Sequence, residues 1–169
     1  MTRFRIALIG LVLAAALVVP ALGSGGSDGR KVLDFDALAG VSEPFTGNTN
    51  PIRGVSGGGL PWEIDQGKGT LRSDGRLRIE VEGLVLARRA PVPANLQGTN
   101  PITNFKAIVS CLTPGGGATT PTNVETGLVP ATTTGNAEIE ATVNLPSPCF
   151  APIVFVTSPT GAWFAVTGR

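Results

Sequence analysis

The carboxylates that could do acid–base chemistry come in pairs two residues apart: Asp34 with Asp36, Glu80 with Glu82 and Glu138 with Glu140. On a β-strand this spacing puts both groups of a pair on one face, roughly 6.5–7 Å apart. That separation suits a glycosidase pair or two ligands of a calcium ion. The residue between each pair is apolar, namely Phe35, Val81 or Ile139, so the simpler reading is a solvated strand face over a buried one. The chain has no His, which excludes Ser-His and Cys-His nucleophile pairs and imidazole metal sites. Lys31, Lys68 and Lys106 are available as bases for a serine, but none lies in a Ser-x-x-Lys arrangement. The glycine runs Gly57–Gly59 and Gly115–Gly117 are not followed by Lys-Ser/Thr and do not open a helix, so neither reads as a phosphate loop. No catalytic residue and no cofactor is expected from these patterns.

Binding is the other chemistry to weigh. Trp62 follows Pro61 in a Gly-rich stretch, with Glu63 and Asp65 close behind. Together they are the candidate ligand or partner surface, since an exposed indole stacks on sugar rings or fills a partner's pocket. The simpler reading of Trp62 is an indole folded down over the open end of the core. Glu63 and Asp65, with Gln66, lack an Asp-x-Asp-x-Asp-Gly run, so no metal site is expected. The Thr-rich stretch from Ala118 to Thr134 can carry O-linked sugar or be an ordinary solvated loop, and no Asn-x-Ser/Thr sequon is present.

The N-terminus reads as an address rather than as structure. Arg3 and Arg5 precede the apolar run Ile6–Val19, and Ala21-Leu22-Gly23 offers small residues at a cleavage site. This is the three-part pattern of a secretory signal peptide over residues 1–23. The rival is an uncleaved anchor over residues 6–22, which is short for a span of about 20 residues and contains Gly10 and Pro20. Two of the 13 Lys and Arg residues belong to this segment, so the remaining 146 residues carry 11 basic against 12 acidic groups, a net charge near −1. The basic residues are interleaved with acidic ones, so nucleic acid is not an expected partner, nor is a membrane after cleavage. Carbohydrate or another extracellular protein is. In an exported chain Cys111 and Cys149 are most simply a disulfide. Closing a loop of that length is worth about 4 kcal/mol in the chain-entropy model. Two free buried thiols are the alternative.

These residues must be held by strands. Residues 24–30 form a flexible leader. Val32–Asp36 then alternates, with Leu33 and Phe35 inward. Residues 42–59 read as an irregular connection, with at most a short strand near Val41–Thr46. The clearest signal is a hairpin: Gly69–Arg72, a Ser73-Asp74-Gly75 turn, then Arg76–Glu82 with Leu77, Ile79 and Val81 inward. Leu84–Leu86 is expected to extend that strand past a bulge or bend at Gly83. Residues 88–104 are a connection. Phe105–Leu112 is a strand with Phe105, Ala107, Val109 and Cys111 on one side, and Pro114–Thr122 reads as a loop. Val124–Ala131 with Ala137–Leu145, and Phe150–Thr157 with Ala162–Thr167, read as two further hairpins. Ile153–Val156, apolar on both faces, reads as central in a sheet.

Two segments repeat. Thr49-Asn50-Pro51-Ile52 returns as Thr99-Asn100-Pro101-Ile102, and residues 74–80 have a looser counterpart in residues 134–140. A duplicated half-domain would follow, against the plain reading that Asn-Pro favours turns. The rhythm Gly69-Thr70-Leu71, Asp74-Gly75, Gly83-Leu84 resembles the repeated hairpin of secreted chordin-type domains over residues 69–84. The histidines of those domains are absent here, and no site is carried over.

With no helical window free of Gly and Pro, seven to nine short strands and frequent turns predict an antiparallel β-sandwich over residues 31–169, or a partly open barrel. An immunoglobulin relative would place a Trp between the cysteines, whereas Trp62 precedes both and Trp163 follows both. The functional expectation is a small secreted, non-enzymatic binding or structural module. The alternative is a carboxylate-dependent hydrolase acting on carbohydrate. Loops 47–67 and 88–104 are where a partner surface is expected.

Overall fold

The computed structural model describes residues 29–167. The expected signal peptide at 1–23 and most of the expected leader lie outside the described residues. Those residues contain no helix and fold into twelve strands. The first six are β1 (Lys31–Phe35), β2 (Leu38–Gly40), β3 (Trp62–Glu63), β4 (Gln66–Arg72), β5 (Arg76–Glu82) and β6 (Val85–Leu86). They are followed by β7 (Asn104–Gly115), β8 (Ala118–Glu125), β9 (Val129–Pro130), β10 (Ala137–Thr142), β11 (Phe150–Thr157) and β12 (Trp163–Thr167). A four-stranded sheet runs β1-β4-β5-β10, a six-stranded sheet runs β2-β12-β11-β7-β8 with β9 added to β7, and β3 pairs with β6 alone. All the strand pairs are antiparallel, and the fold is the expected all-β sandwich type, with one sheet curled into a half-barrel. The strand count exceeds the expected seven to nine because three of the twelve are two-residue pieces, too short to show a period.

The period-two pattern of β5 is realised as read. Leu77, Ile79 and Val81 are buried, Arg76, Arg78 and Glu82 are exposed, and Gly75 closes the hairpin with φ +87° and its amide donating to Arg72 O at 2.9 Å. Phe35, Leu71 and Ile139 continue this inner face and share one core with Phe105, Val109, Val154 and Val156. The expected central position of Ile153–Val156 holds, since β11 lies between β12 and β7. The disulfide forms between Cys111 on β7 and Cys149, whose Cα atoms are 4.9 Å apart. It ties the start of β11 to its neighbour.

Three local expectations are corrected. The Pro114–Thr122 loop is instead a hairpin, in which Gly115 pairs with Ala118 across Gly116 and Gly117, both at positive φ. Threonine favours strands and Pro121 is tolerated on the sheet edge that β8 forms, so Gly and Pro content misled the reading. Residues 124–131 and 137–145 do not pair with each other, since β9 joins β7 and β10 joins β5. Leu84–Leu86 does not prolong β5, because Gly83, at φ +67°, turns the chain so that Val85 and Leu86 pair with β3.

β7 is also more enclosed than its alternation implied, with Lys106, Ile108 and Ser110 buried as well. The cover over Ser110 comes from the irregular segment 41–61. There Ile52 and Val55 pair across Arg53 and Gly54, and the Arg53 guanidinium donates to Ser110 O at 2.9 Å and Ala151 O at 2.8 Å.

Candidate functional site

The turn at Gly83 brings the two loop regions expected to carry function into one place. A Cβ at Gly83 would fall 2.2 Å from the Asp65 carboxylate, so a side chain there would push Asp65 away. Past the turn, Val85 pairs with Glu63 and Leu86 with Trp62. Ala87 donates to Pro61 O at 2.9 Å, Leu86 to Thr99 O at 2.9 Å, and Gly98 to Leu86 O at 2.8 Å. Loop 47–67 and loop 88–104 are therefore stitched to the same two-residue strand from opposite sides. Arg88 then pairs with the Glu63 carboxylate, its guanidinium lying against Gly98 and its amide 3.4 Å from Glu63 Oε2. Arg89, Ala90 and Pro91 follow exposed, and Val92 returns to the core.

Each residue of the candidate surface has a distinct place. Trp62 is only 4% exposed, with its ring stacked on Phe164 at a centroid distance of 3.9 Å. Of the two readings of Trp62, the simpler one holds: the indole closes the core and does not stand exposed for stacking. Gly58 permits this arrangement, because a Cβ there would sit 3.0 Å from the Phe164 ring and 3.2 Å from Trp62 Nε1. Glu63 is half-buried and held by Arg88, and Asp65 is exposed, its amide donating to Glu82 O at 3.1 Å. Asp36, Asp65 and Glu82 line one shallow cleft with Gln66. Among the described residues no group of three or more His, Cys, Asp or Glu is placed to hold a metal ion.

The paired glutamates lie on the outer face of the four-stranded sheet, with Asp34 on β1 and Asp36 just past its end, and the cross-strand register decides their chemistry. Glu80 stands opposite Glu138, and Arg78 opposite Glu140. Like charges facing each other would repel, but the Arg78 guanidinium reaches Glu138 at 2.6 Å, Glu140 at 3.2 Å and Glu80 at 3.9 Å. Lys68 adds a contact to Glu80 at 2.8 Å. The hydrogen bond from Lys68 holds the Glu80 carboxyl below its ordinary range, and Glu80 in turn raises the Lys68 ammonium. Hydrogen bonding to Glu138 and the charge of Glu140 raise Arg78. An acid catalyst at neutral pH needs the opposite shift, a carboxyl pushed up by burial or by an unneutralised neighbour. Glu80 is shifted the other way, and Glu138 and Glu140 are ion-paired with Arg78.

The Arg88–Glu63 pair was not legible in the sequence, since 25 residues separate its members and the β3–β6 ladder that joins them is two residues long. A faint signal was available: Trp62-Glu63 and Val85-Leu86 each follow a Pro or Gly break. No family model, no curated protein and no solved structure matches the chain.

Proposed function

We propose that this chain is a small secreted module that binds a partner or serves a structural role, without catalysis, through the platform made by loops 47–67 and 88–104. The observation that carries the reading is the β3–β6 ladder, which fixes two separate loops against each other and presents Arg88 and Arg89 at their rim. Loops held on a rigid sheet scaffold are a common site of recognition. A disulfide fits an oxidising, extracellular setting. Among the described residues no helix is long and apolar enough to cross a membrane.

The platform offers guanidinium groups, the half-buried Glu63 carboxylate and exposed prolines, a surface that suits an acidic saccharide or an acidic stretch of an extracellular protein. The neutralised carboxylates on the sheet face weigh against the carbohydrate-hydrolase alternative. The test is an array of glycans and extracellular proteins probed with wild-type protein and with R88A/R89A. Capture that the double variant loses supports the reading. Release of reducing sugar from a polysaccharide, lost in E80Q/E138Q, favours the hydrolase.

A further inference from the structure

We infer that the peptide bond between Arg89 and Ala90 is a processing site for an arginine-specific serine endopeptidase, whose cleavage converts the protein into two chains held together without a covalent link. This inference rests on the exported platform proposed above and gives that site a means of regulation, since the cut falls at its rim.

Such proteases need an arginine or lysine side chain free to enter their specificity pocket, on backbone that can open locally. Few basic residues here meet both conditions. Lys31, Lys68, Arg72, Arg76 and Arg78 lie in the β1, β4 and β5 strands, and Lys106 is buried in β7 against Glu125. Arg53 is half-buried with its guanidinium bound to two carbonyl groups. Arg30 is exposed but lies just before β1, so a cut there would only trim the N-terminus. Arg88 is held by Glu63. Arg89 is exposed, its side chain has no hydrogen-bond or ion-pair partner among the described residues, and its carbonyl is held by one turn bond from Val92 N at 3.1 Å. Arg88 thus presents the segment while Arg89 supplies the recognised side chain. In the reaction, water's oxygen bonds to the Arg89 carbonyl carbon and the bond to the Ala90 nitrogen breaks. The products are an Arg89 carboxylate and an Ala90 ammonium.

The disulfide joins Cys111 to Cys149, both on the C-terminal side of the cut, so nothing covalent spans it. Strands do. β5 pairs with β10 over six residues and β2 with β12 over three. Across the same divide Trp62 stacks on Phe164. The two fragments are interleaved in one core, and the nicked protein should keep its fold.

Limited digestion of the purified, unreduced protein with trypsin tests this without any ligand, so its failure is separate from failure of the binding proposal. The first internal cut is expected to give one fragment ending at Arg89 and one beginning at Ala90. They should elute together in native buffer and separate in urea without reductant. R88Q/R89Q should slow that cut at least tenfold while trimming at Arg30 and Lys31 proceeds at the wild-type rate. A first internal cut elsewhere, fragments that part in native buffer, or a folded double variant cleaved at the wild-type rate would overturn the inference. If the double variant does not fold, the position of the wild-type cut decides alone.

Discussion

Ile79 on β5 and Ile139 on β10 stand directly opposite each other, at the centre of the pairing between the two segments whose sequences echo one another. The register is symmetric about this pair. The carbonyl of Gly75, second in the first segment, accepts from Val143 N at 3.0 Å, and that of Gly135, second in the other, accepts from Leu84 N at 3.1 Å. Both glycines have positive φ, +87° and +80°. A Cβ would fall 1.9 Å from Val143 O at Gly75 and 2.1 Å from Leu84 O at Gly135. The echo between residues 74–80 and 134–140 is thus a shared solution to one local problem: a strand entered from a left-handed glycine that leaves room for its partner's tail. The other echo does not extend this symmetry. Asn100 is buried and bonds to Ile102 O and Thr132 O, whereas Asn50 is exposed and bonds to Pro44 O.

From this geometry Gly75→Ala and Gly135→Ala should each destabilise the protein by about 2 kcal/mol or more, combining left-handed strain with a backbone collision. Gly59→Ala, where a Cβ meets nothing within 4 Å, should change stability little. Urea midpoints of the three variants check this, and a Gly59→Ala loss equal to the other two would contradict it.

Both tryptophans are buried, at 4% exposure for Trp62 and 3% for Trp163. Emission should therefore be blue-shifted and resistant to iodide quenching, and sugars should leave it unchanged. Trp62→Ala should cost about 3–5 kcal/mol, the usual range for emptying an aromatic core site. A red-shifted, iodide-quenched component would show an exposed indole instead.

What the sequence made legible followed from period and length. β5 has seven residues of strict alternation with a Gly turn before it, so its inner and outer faces could be assigned residue by residue. Ile153–Val156 could be made central because both its faces are apolar. β3 and β6 are two residues each and show no period, so only the Pro and Gly breaks before them hinted at the ladder that builds the candidate site. Trp62 illustrates a different limit: a Trp beside Pro and Gly has the same local signature whether it faces water or Phe164, and only the tertiary contact decides. The β7–β8 hairpin was misread because Gly and Pro mark both loops and the tight turns and edges of strands.

The Cys111–Cys149 disulfide should be complete in the native protein. Thiol labelling of unfolded, unreduced protein should find no free cysteine, and C111A/C149A should lose about 2–5 kcal/mol. Two labelled thiols per chain would refute the oxidised form.

The pH dependence follows from the charged face. Glu80 is lowered from 4.5 by the Lys68 hydrogen bond, so its contribution is present above that value and lost as pH falls through the lower, folded-state pKa. Lys68 is raised from 10.5 by Glu80, so its contribution is present below that value and lost as pH rises through the higher, folded-state pKa. Melting temperature should accordingly be flat between about 4.5 and 10.5 as far as this pair is concerned, with small losses outside that window, reduced by salt because both groups are exposed. Glu80→Gln should flatten the acid limb. An acid limb identical in the variant would show that Glu80 contributes nothing to it.

The account centres on a platform that binds rather than a face that catalyses. The most direct measurement is equilibrium binding to an array of glycans and extracellular proteins, run in parallel for wild-type protein and for an R88A/R89A variant with an unchanged far-UV spectrum. The account predicts saturable capture of an acidic saccharide or acidic protein by wild type, weakened at least tenfold in the variant. Capture of equal strength by both proteins would contradict it, and so would wild-type protein that binds no probe on the array.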